Sequence, residues 1–313
     1  CYIARQYGIH SAMPMFQALS VCPDAVVLPP NIPKYRKVGQ EVRNLLLEVT
    51  THIEPVSIDE AYLDLQELLG SSEMSPARAL VRLTNDLEKT LGISASIGLS
   101  SNKFLAKLAS DFDKPRGFSI IGTNESTSVI APLPVRKISG VGPSLTKRLA
   151  KLGITTVSQL QNWKEEDLVQ RFGVIGQRLA NYSRGLDPRP VKERTHRKSI
   201  SSETTLESDV NDLQELKPLV KELSQKITAR LNRNGKAART IVLKLKTSDF
   251  KNLTRTTTLH YPTKKWQVIY ETALHLLTKE INPERRFRLI GLGLTKLDEN
   301  GEADPPNIPD LGL

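Results

Sequence analysis

Three carboxylates fall inside a run with strand-like apolar spacing, Ser57-Ile58-Asp59-Glu60-Ala61-Tyr62-Leu63-Asp64-Leu65. Val56, Ile58, Ala61, Leu63 and Leu65 supply the apolar positions, and acidic side chains resist burial in a strand unless a partner or cation neutralises them. Successive strand residues point to opposite faces. Asp59 and Glu60 therefore share one ion only if the backbone turns between them, as at a corner between two strands. Two hard oxygen donors with no His or Cys in the run suit Mg²⁺, which takes its remaining ligands from water and phosphate. A solvated acidic face on an edge strand is the plainer reading of the same residues.

The run resembles the catalytic signature of the Y-family translesion DNA polymerases, and the tyrosine and leucine after the acidic pair are similar to the DinB branch. The resemblance extends in matching order over essentially the whole chain. It is most specific at this run, at Tyr2-Ile3-Ala4-Arg5, at Ala109-Ser110-Asp111-Phe112-Asp113-Lys114-Pro115-Arg116-Gly117 and at Ile138-Ser139-Gly140-Val141-Gly142. It implies an α+β right-hand polymerase: a palm of split βαβ type, small fingers, a helical thumb with a helix-hairpin-helix, and an α+β little finger. It further implies template-directed addition of a dNTP to a primer 3′ end with two Mg²⁺ ions. Asp59 and Glu60 would be the catalytic metal ligands, and Tyr2, Arg5 and Lys114 would hold the triphosphate. In this family a further aspartate and a bulky sugar-gate residue lie on the first palm strand, which is expected upstream of Cys1. The chain as written is therefore expected not to polymerise detectably.

Composition agrees with a soluble multidomain protein. Of 313 residues, 39% are hydrophobic and 25% charged, and no apolar run approaches the length of a membrane span or resembles a secretory signal. Only Cys1 and Cys22 are present, which excludes a disulfide framework and a cysteine-based structural zinc site. A cytoplasmic, bacterial nucleoid-associated location is expected, with no membrane partner. Net charge is +10 and unevenly spread: −2 over residues 1–135, +9 over 136–198 and +3 over 199–313. Residues 226–265 hold 11 basic side chains against one acid, Asp249. Two basic stretches after a near-neutral segment point to a polyanion, nucleic acid, gripped at more than one place; the resemblance implies that it is primer–template DNA.

The elements that must position these residues follow in order. Residues 1–32 read as partial fingers, where Tyr2 and Arg5, three apart, share a face if helical and can hydrogen-bond phosphate oxygens. Residues 33–131 read as palm. Val38, Val42, Leu45 and Val49 mark a helix near 35–50, and Leu80, Leu83, Leu87 and Leu91 mark a second, ended by Gly92. Ser94 to Leu99 alternates like a strand able to pair with the acidic one. Lys114 sits in Asp113-Lys114-Pro115-Arg116-Gly117, where proline and glycine fix a corner.

Residues 132–187 read as thumb. Gly140 and Gly142 let backbone N–H groups approach a phosphate, with Lys147, Arg148 and Lys151 adding sequence-independent attraction. Helices follow at Thr155 to Leu160, Glu165 to Phe172 and Gln177 to Arg184, with Gly173 and Gly176 as breaks. Residues 188–198 read as a basic linker lying along DNA, and 199–298 as the little finger. Arg197 and Lys198 at the end of the linker, and Arg239, Lys244, Lys246 and Arg255 of the little finger, are the expected DNA contacts. Val242, Lys244 and Lys246 face opposite to Ile241, Leu243 and Leu245. Residues 299–313 form an acidic tail whose Leu311 and Leu313 are candidate peptide anchors for a groove, and the resemblance implies that this groove is a sliding clamp's. The competing reading is a non-enzymatic duplex-DNA-binding repair scaffold, indifferent to Asp59. A nucleotidyl cyclase would leave the thumb and little finger unexplained.

Overall fold

The computed structural model describes residues 1–70, 74–193 and 197–298, and the chain divides into two units, Cys1–Arg194 and Thr195–Leu313. Leu311 and Leu313 lie outside the described residues.

In the first unit, α1 (Tyr2–Gln6) and α2 (Met15–Val21) lead to α3 (Ile32–Leu47). The Asn31 side chain caps α3 by accepting from Lys34 N, and Pro33 lies in its first turn, where no amide donor is needed. A short hairpin follows, β1 (Ile53–Pro55) antiparallel to β2 (Ala61–Leu63), with Glu54 opposite Tyr62. Next comes α4 (Pro76–Leu91), capped by Ser75 and ended by Gly92 in the left-handed region. Leu80, Leu83 and Leu87 recur at helical spacing and bury against Val42, Leu45, Leu46 and Val49 of α3 and its end.

Then β3 (Ile97–Ser100), α5 (Lys103–Ala109) and β4 (Phe118–Ile121) form a β-α-β unit whose two strands are parallel. The strand containing Ile97 to Leu99 thus pairs with β4 and not with the acidic hairpin, which forms a separate two-stranded sheet. The one-helix crossover makes the β3–β4 pairing parallel, and Gly98 lets α5 lie directly on β3.

Among the described residues five α-helices follow: α6 (Ser126–Ile130), α7 (Pro143–Ala150), α8 (Val157–Gln161), α9 (Glu165–Phe172) and α10 (Val174–Ser183). Thr156 and Gln159 form a reciprocal capping box at α8. Phe104, Leu105 and Leu108 of α5 share one buried cluster with Ile121, Ile130, Leu149, Leu160, Leu168 and Leu179, so the βαβ unit and the helices after it are built on a common core. Gly176 does not break a helix. It lies within α10, where an added Cβ would land on the Leu168 carbonyl, and its role is close packing of α10 on α9.

The second unit is an antiparallel sheet with two helices on one face: β5 (Ser199–Val210), α11 (Leu213–Arg233), β6 (Ala237–Thr247), β7 (Asn252–Thr263), α12 (Trp266–Thr278) and β8 (Phe287–Asp298), in strand order β5-β8-β6-β7. Ile241, Leu243 and Leu245 bury against Leu216, Val220, Leu223 and Ile227 of α11 and Ile269, Ala273 and Leu277 of α12. Lys244 and Lys246 lie on the opposite, open face, as the alternation predicts.

Candidate active site and nucleic-acid interface

The acidic run is a strand over Ala61–Leu63 only, and residues 57–60 form the loop of the hairpin. Val56 N and Ser57 N both donate to Glu60 O, at 2.8 and 3.1 Å, which closes the turn and puts Asp59 at its tip. The Asp59 carboxylate accepts from Ser57 Oγ at 2.5 Å. Beneath the loop, α3 supplies Gly39, where a Cβ would stand 2.8 Å from Ile58 O; a glycine there lets the loop rest directly on the helix. The corner that Asp59 and Glu60 need in order to act together is therefore present.

Glu60 does not stand alone, for its carboxylate pairs with Lys107 of α5, both side chains half-buried. One turn earlier on that helix, Lys103 Nζ reaches Glu54 of β1 at 2.7 Å, with the lysine side chain only 8% exposed. Two lysines four residues apart thus clip the hairpin onto α5. Helix geometry sets their spacing, and the Asn102 cap, accepting from Leu105 N at 3.0 Å, fixes where the helix starts. Burial is the largest single influence on Lys107 and pulls its pKa down. The Glu60 carboxylate, with Asp111 and Tyr62, outweighs it and leaves Lys107 above the ordinary lysine range. Tyr62 is pushed up by burial and by the Glu60 charge.

Lys114 pairs with Asp111, so Glu60, Lys107, Asp111 and Lys114 form a line of alternating charge leading from the hairpin to the Lys-Pro corner. That corner has no slack: Arg116 adopts φ +58°, and a Cβ on Gly117 would meet Asp113 O at 2.6 Å. Tyr2 and Arg5 lie on exposed α1, with the Arg5 guanidinium 5.8 Å above the Tyr2 ring and Nη2 donating to Ser11 Oγ at 3.5 Å. Among the described residues no hydrogen bond or ion pair joins them to Asp59, Glu60 or Lys114.

Gly140 has φ +93°, Gly142 caps α7, and buried Ile138, Val141 and Leu145 anchor the turn between them. Lys147 and Lys151 are exposed on α7 and at its end. Arg148 turns back, its guanidinium 4.8 Å from the Phe172 ring and Nη2 donating to Arg171 O. Between α5 and this turn lies a cavity of about 460 Å³ lined by Lys107, Asp111, Arg136, Lys137 and residues 139–142.

The start of the expected linker is anchored to the first unit. Asp187, its side chain 1% exposed, receives two hydrogen bonds from the Arg189 guanidinium, at 2.8 and 2.7 Å. That guanidinium lies 5.7 Å from the Tyr182 ring, which stacks on Phe104 of α5 at 4.3 Å. Lys192 N donates to Glu54 Oε2 at 2.9 Å, and Arg43 pairs with Glu193 at 3.0 Å. Burial favours neutral carboxyls at Glu54 and Asp187. At Glu54 the Lys103 ammonium and Lys192 amide outweigh it, and at Asp187 the Arg189 guanidinium does, so both stay below the ordinary range.

A depressed folded-state pKa adds stability above the unfolded value and loses it as pH falls through the folded one. Unfolding of the first unit is therefore expected to become easier as pH drops below about 4.5, the higher of the two ordinary values. Asp187→Asn should flatten that dependence. Chemical denaturation of the variant between pH 6 and 3 with an unchanged slope would refute it.

In the second unit Lys244 pairs with Glu203 at 2.7 Å, the two reaching over Gly291 of the strand between them. Lys246 lies 5.5 Å from the Phe250 ring, and Arg239 donates to His260 O at 2.8 Å. Thr254, Thr256 and Thr258 are exposed on the same open face. Arg255 is not on it. It lies opposite Leu243 on the helix-covered side, held through two hydrogen bonds at 2.7 and 3.0 Å by buried Glu280, which Arg285 also contacts. One-residue alternation accounts for this: Arg255 is out of phase with the even-numbered threonines. Arg197 and Lys198 are exposed just before β5.

Sequence reasoning passed over Lys103, Lys107 and Glu54. The signal was present as two lysines at i and i+4 in Asn102-Lys103-Phe104-Leu105-Ala106-Lys107, a helix that otherwise reads as core.

Among the described residues no helix is long and apolar enough to cross a membrane. Residues 1–111 match the impB/mucB/samB family, 136–187 the thumb domain of DNA polymerase-iota, and 197–305 the impB/mucB/samB family C-terminal domain. The chain is 47% identical to "DNA polymerase IV 1" of Mesorhizobium japonicum, covering 99% of this chain and 71% of that protein. It is also 47% identical to DNA polymerase IV of Brucella melitensis, covering 99% and 70%. A solved Y-family DNA polymerase chimera of Dbh and Dpo4 superposes with a TM-score of 0.86 at 25% identity, over 95% of this chain and 86% of that one. With this fold, these motifs and relatives of this similarity along nearly its whole length, the chain belongs to the impB/mucB/samB family of Y-family DNA polymerases.

Proposed function

We propose that the protein is a DNA-directed DNA polymerase for translesion synthesis, adding dNMP to a primer 3′ end. The observation that carries this reading is the hairpin loop bearing Asp59 and Glu60, clipped by Lys103 and Lys107 onto α5, the helix that shares a buried core with the glycine turn. The pair fits a hard divalent cation: both donors are carboxylates at a solvent-reached corner, and the Lys107 ammonium on Glu60 is a positive charge that a bound cation would displace. When bound there, two Mg²⁺ ions would acidify the primer hydroxyl and neutralise the leaving pyrophosphate.

The protein's own side chains orient and neutralise. Lys114, Arg5 and Tyr2 would meet the triphosphate oxygens, with Asp111 holding Lys114 until then. The amides of Ser139, Gly140 and Gly142, with Lys147 and Lys151, would hold a strand backbone without reading bases. Lys244, Lys246, Arg239 and the threonine face would grip the duplex further along, joined by Arg197 and Lys198. Arg148 and Arg255 would act indirectly, Arg148 by bracing α9 and Arg255 by holding Glu280 just past α12. Sliding-clamp docking through Leu311 and Leu313, and a cytoplasmic, nucleoid-associated location, belong to this reading.

Among the described residues no third carboxylate, His or Cys joins Asp59 and Glu60. Since the two-ion reaction uses carboxylates on both sides of the phosphate, the 313-residue chain assayed by itself is expected to extend primers at least about a hundredfold more slowly than the Mesorhizobium relative. It should still bind primer–template duplex with an affinity that falls steeply with salt. Extension at a comparable rate would overturn the impairment. Failure to bind the duplex at low salt would overturn the function. Duplex binding with no divalent-cation binding at Asp59 would favour the non-enzymatic scaffold.

A further inference from the structure

Lys107 stands between two sites. On one side its ammonium is taken by Glu60, and on the other it lines the cavity of about 460 Å³ that separates α5 from the glycine turn. That cavity suits an anion. Lys107, Arg136 and Lys137 face a single carboxylate, Asp111, and the amides of Ser139, Gly140 and Gly142 donate no hydrogen bond among the described residues. Asp111 is itself paired with Lys114. A flexible four-carbon stem allows the same ammonium to reach either partner, whereas an arginine fork would be committed to one.

The competition is simple. A divalent cation at the carboxylate pair neutralises Glu60 and repels Lys107, which is then free for the nearest other anion. We propose that Lys107 is a positioning residue that serves the two in turn: it holds Glu60 while no divalent cation is bound, and is released to a backbone phosphate of bound DNA when one is. The inference rests on the polymerase reading of the site. It makes cation binding and duplex binding mutually reinforcing by the same factor, as thermodynamic linkage requires.

The test is duplex affinity, read by fluorescence anisotropy on the 313-residue chain at matched ionic strength, in EDTA and in Ca²⁺, an oxygen-liganded cation like Mg²⁺. The unaltered chain should bind about five- to tenfold more tightly with Ca²⁺, the low end of ordinary couplings. Lys107→Ala and Lys107→Gln should lose that gain, and in Ca²⁺ their salt dependence should be shallower by about one phosphate contact. Glu60→Gln releases Lys107 permanently and should bind tightly already in EDTA, with no further gain. Combining Glu60→Gln with Lys107→Ala should return affinity to that of Lys107→Ala alone. Circular dichroism confirms folding of each variant.

A Ca²⁺ gain that survives Lys107→Ala, or a Glu60→Gln chain no tighter than the unaltered one in EDTA, overturns the proposal. Salt-dependent duplex binding without any cation-linked gain would remove the hand-over and leave the polymerase reading standing. Absence of duplex binding would remove both.

Discussion

Gly98→Ala is expected to destabilise the first unit by about 3 kcal/mol or more, at or beyond the upper end of ordinary overpacking. The added Cβ would land on the Ala106 carbonyl oxygen and the Ser110 amide, and 2.9 Å from Ala109 Cβ. Two of these are backbone atoms, so no rotamer change relieves the clash; α5 must back away from β3. That helix carries Lys103 and Lys107, so its retreat also loosens the hairpin holding Asp59 and Glu60. In a unit of this size the midpoint should fall by about 6–12 °C, at 2–4 °C per kcal/mol. Gly92→Ala is the control. Gly92 has φ +67° with nothing within 4 Å of an added Cβ, so only left-handed strain opposes the methyl, about 1 kcal/mol. Equal losses for the two variants, measured by thermal or guanidinium denaturation, would sink the account.

What could be read from the sequence and what could not divide along a physical line. Helical spacing of Leu80, Leu83 and Leu87, the Gly92 stop, and the alternation of residues 241–246 are local patterns, and each element stands where they place it. Strand geometry made a turn the condition for Asp59 and Glu60 to act together, and residues 57–60 form the loop of a hairpin. Strand partners were not legible, because Ile97 to Leu99 presents the same alternation to any neighbour; close packing at Gly98 belongs to the β4 pairing. The face of Arg255 was missed by one position of phase, and a partner 25 residues away, Glu280, leaves no local mark. The same holds for the anchored stretch 187–193. Its prolines and charges read as linker, while the buried Asp187 and the Lys192 amide find their partners through tertiary contact. Sequence patterns report which face a residue occupies more readily than which charge it meets there.

Lys103→Met should cost about 3 kcal/mol at neutral pH, the low end of breaking a buried pair, since Glu54 keeps the Lys192 amide and some solvent contact. Methionine replaces the stem, so the loss comes from the stranded carboxylate and not from packing. With the ammonium gone, burial, already the largest single influence on Glu54, loses its main opponent, and the carboxyl shifts from below the ordinary range toward above it. The sign of its pH dependence then reverses. In the unaltered chain Glu54 contributes stability that fades as pH falls, whereas in the variant protonation relieves the stranded charge. The gap between the two chains should therefore narrow steadily from pH 7 to about 4, the ordinary carboxyl range. Adding Glu54→Gln should recover most of the loss at neutral pH, because a neutral amide at that position needs no cation. A gap that stays constant with pH, or a double variant as unstable as Lys103→Met alone, would show that the loss does not come from a stranded Glu54 carboxylate, and the ion pair would then not be what holds the hairpin on α5.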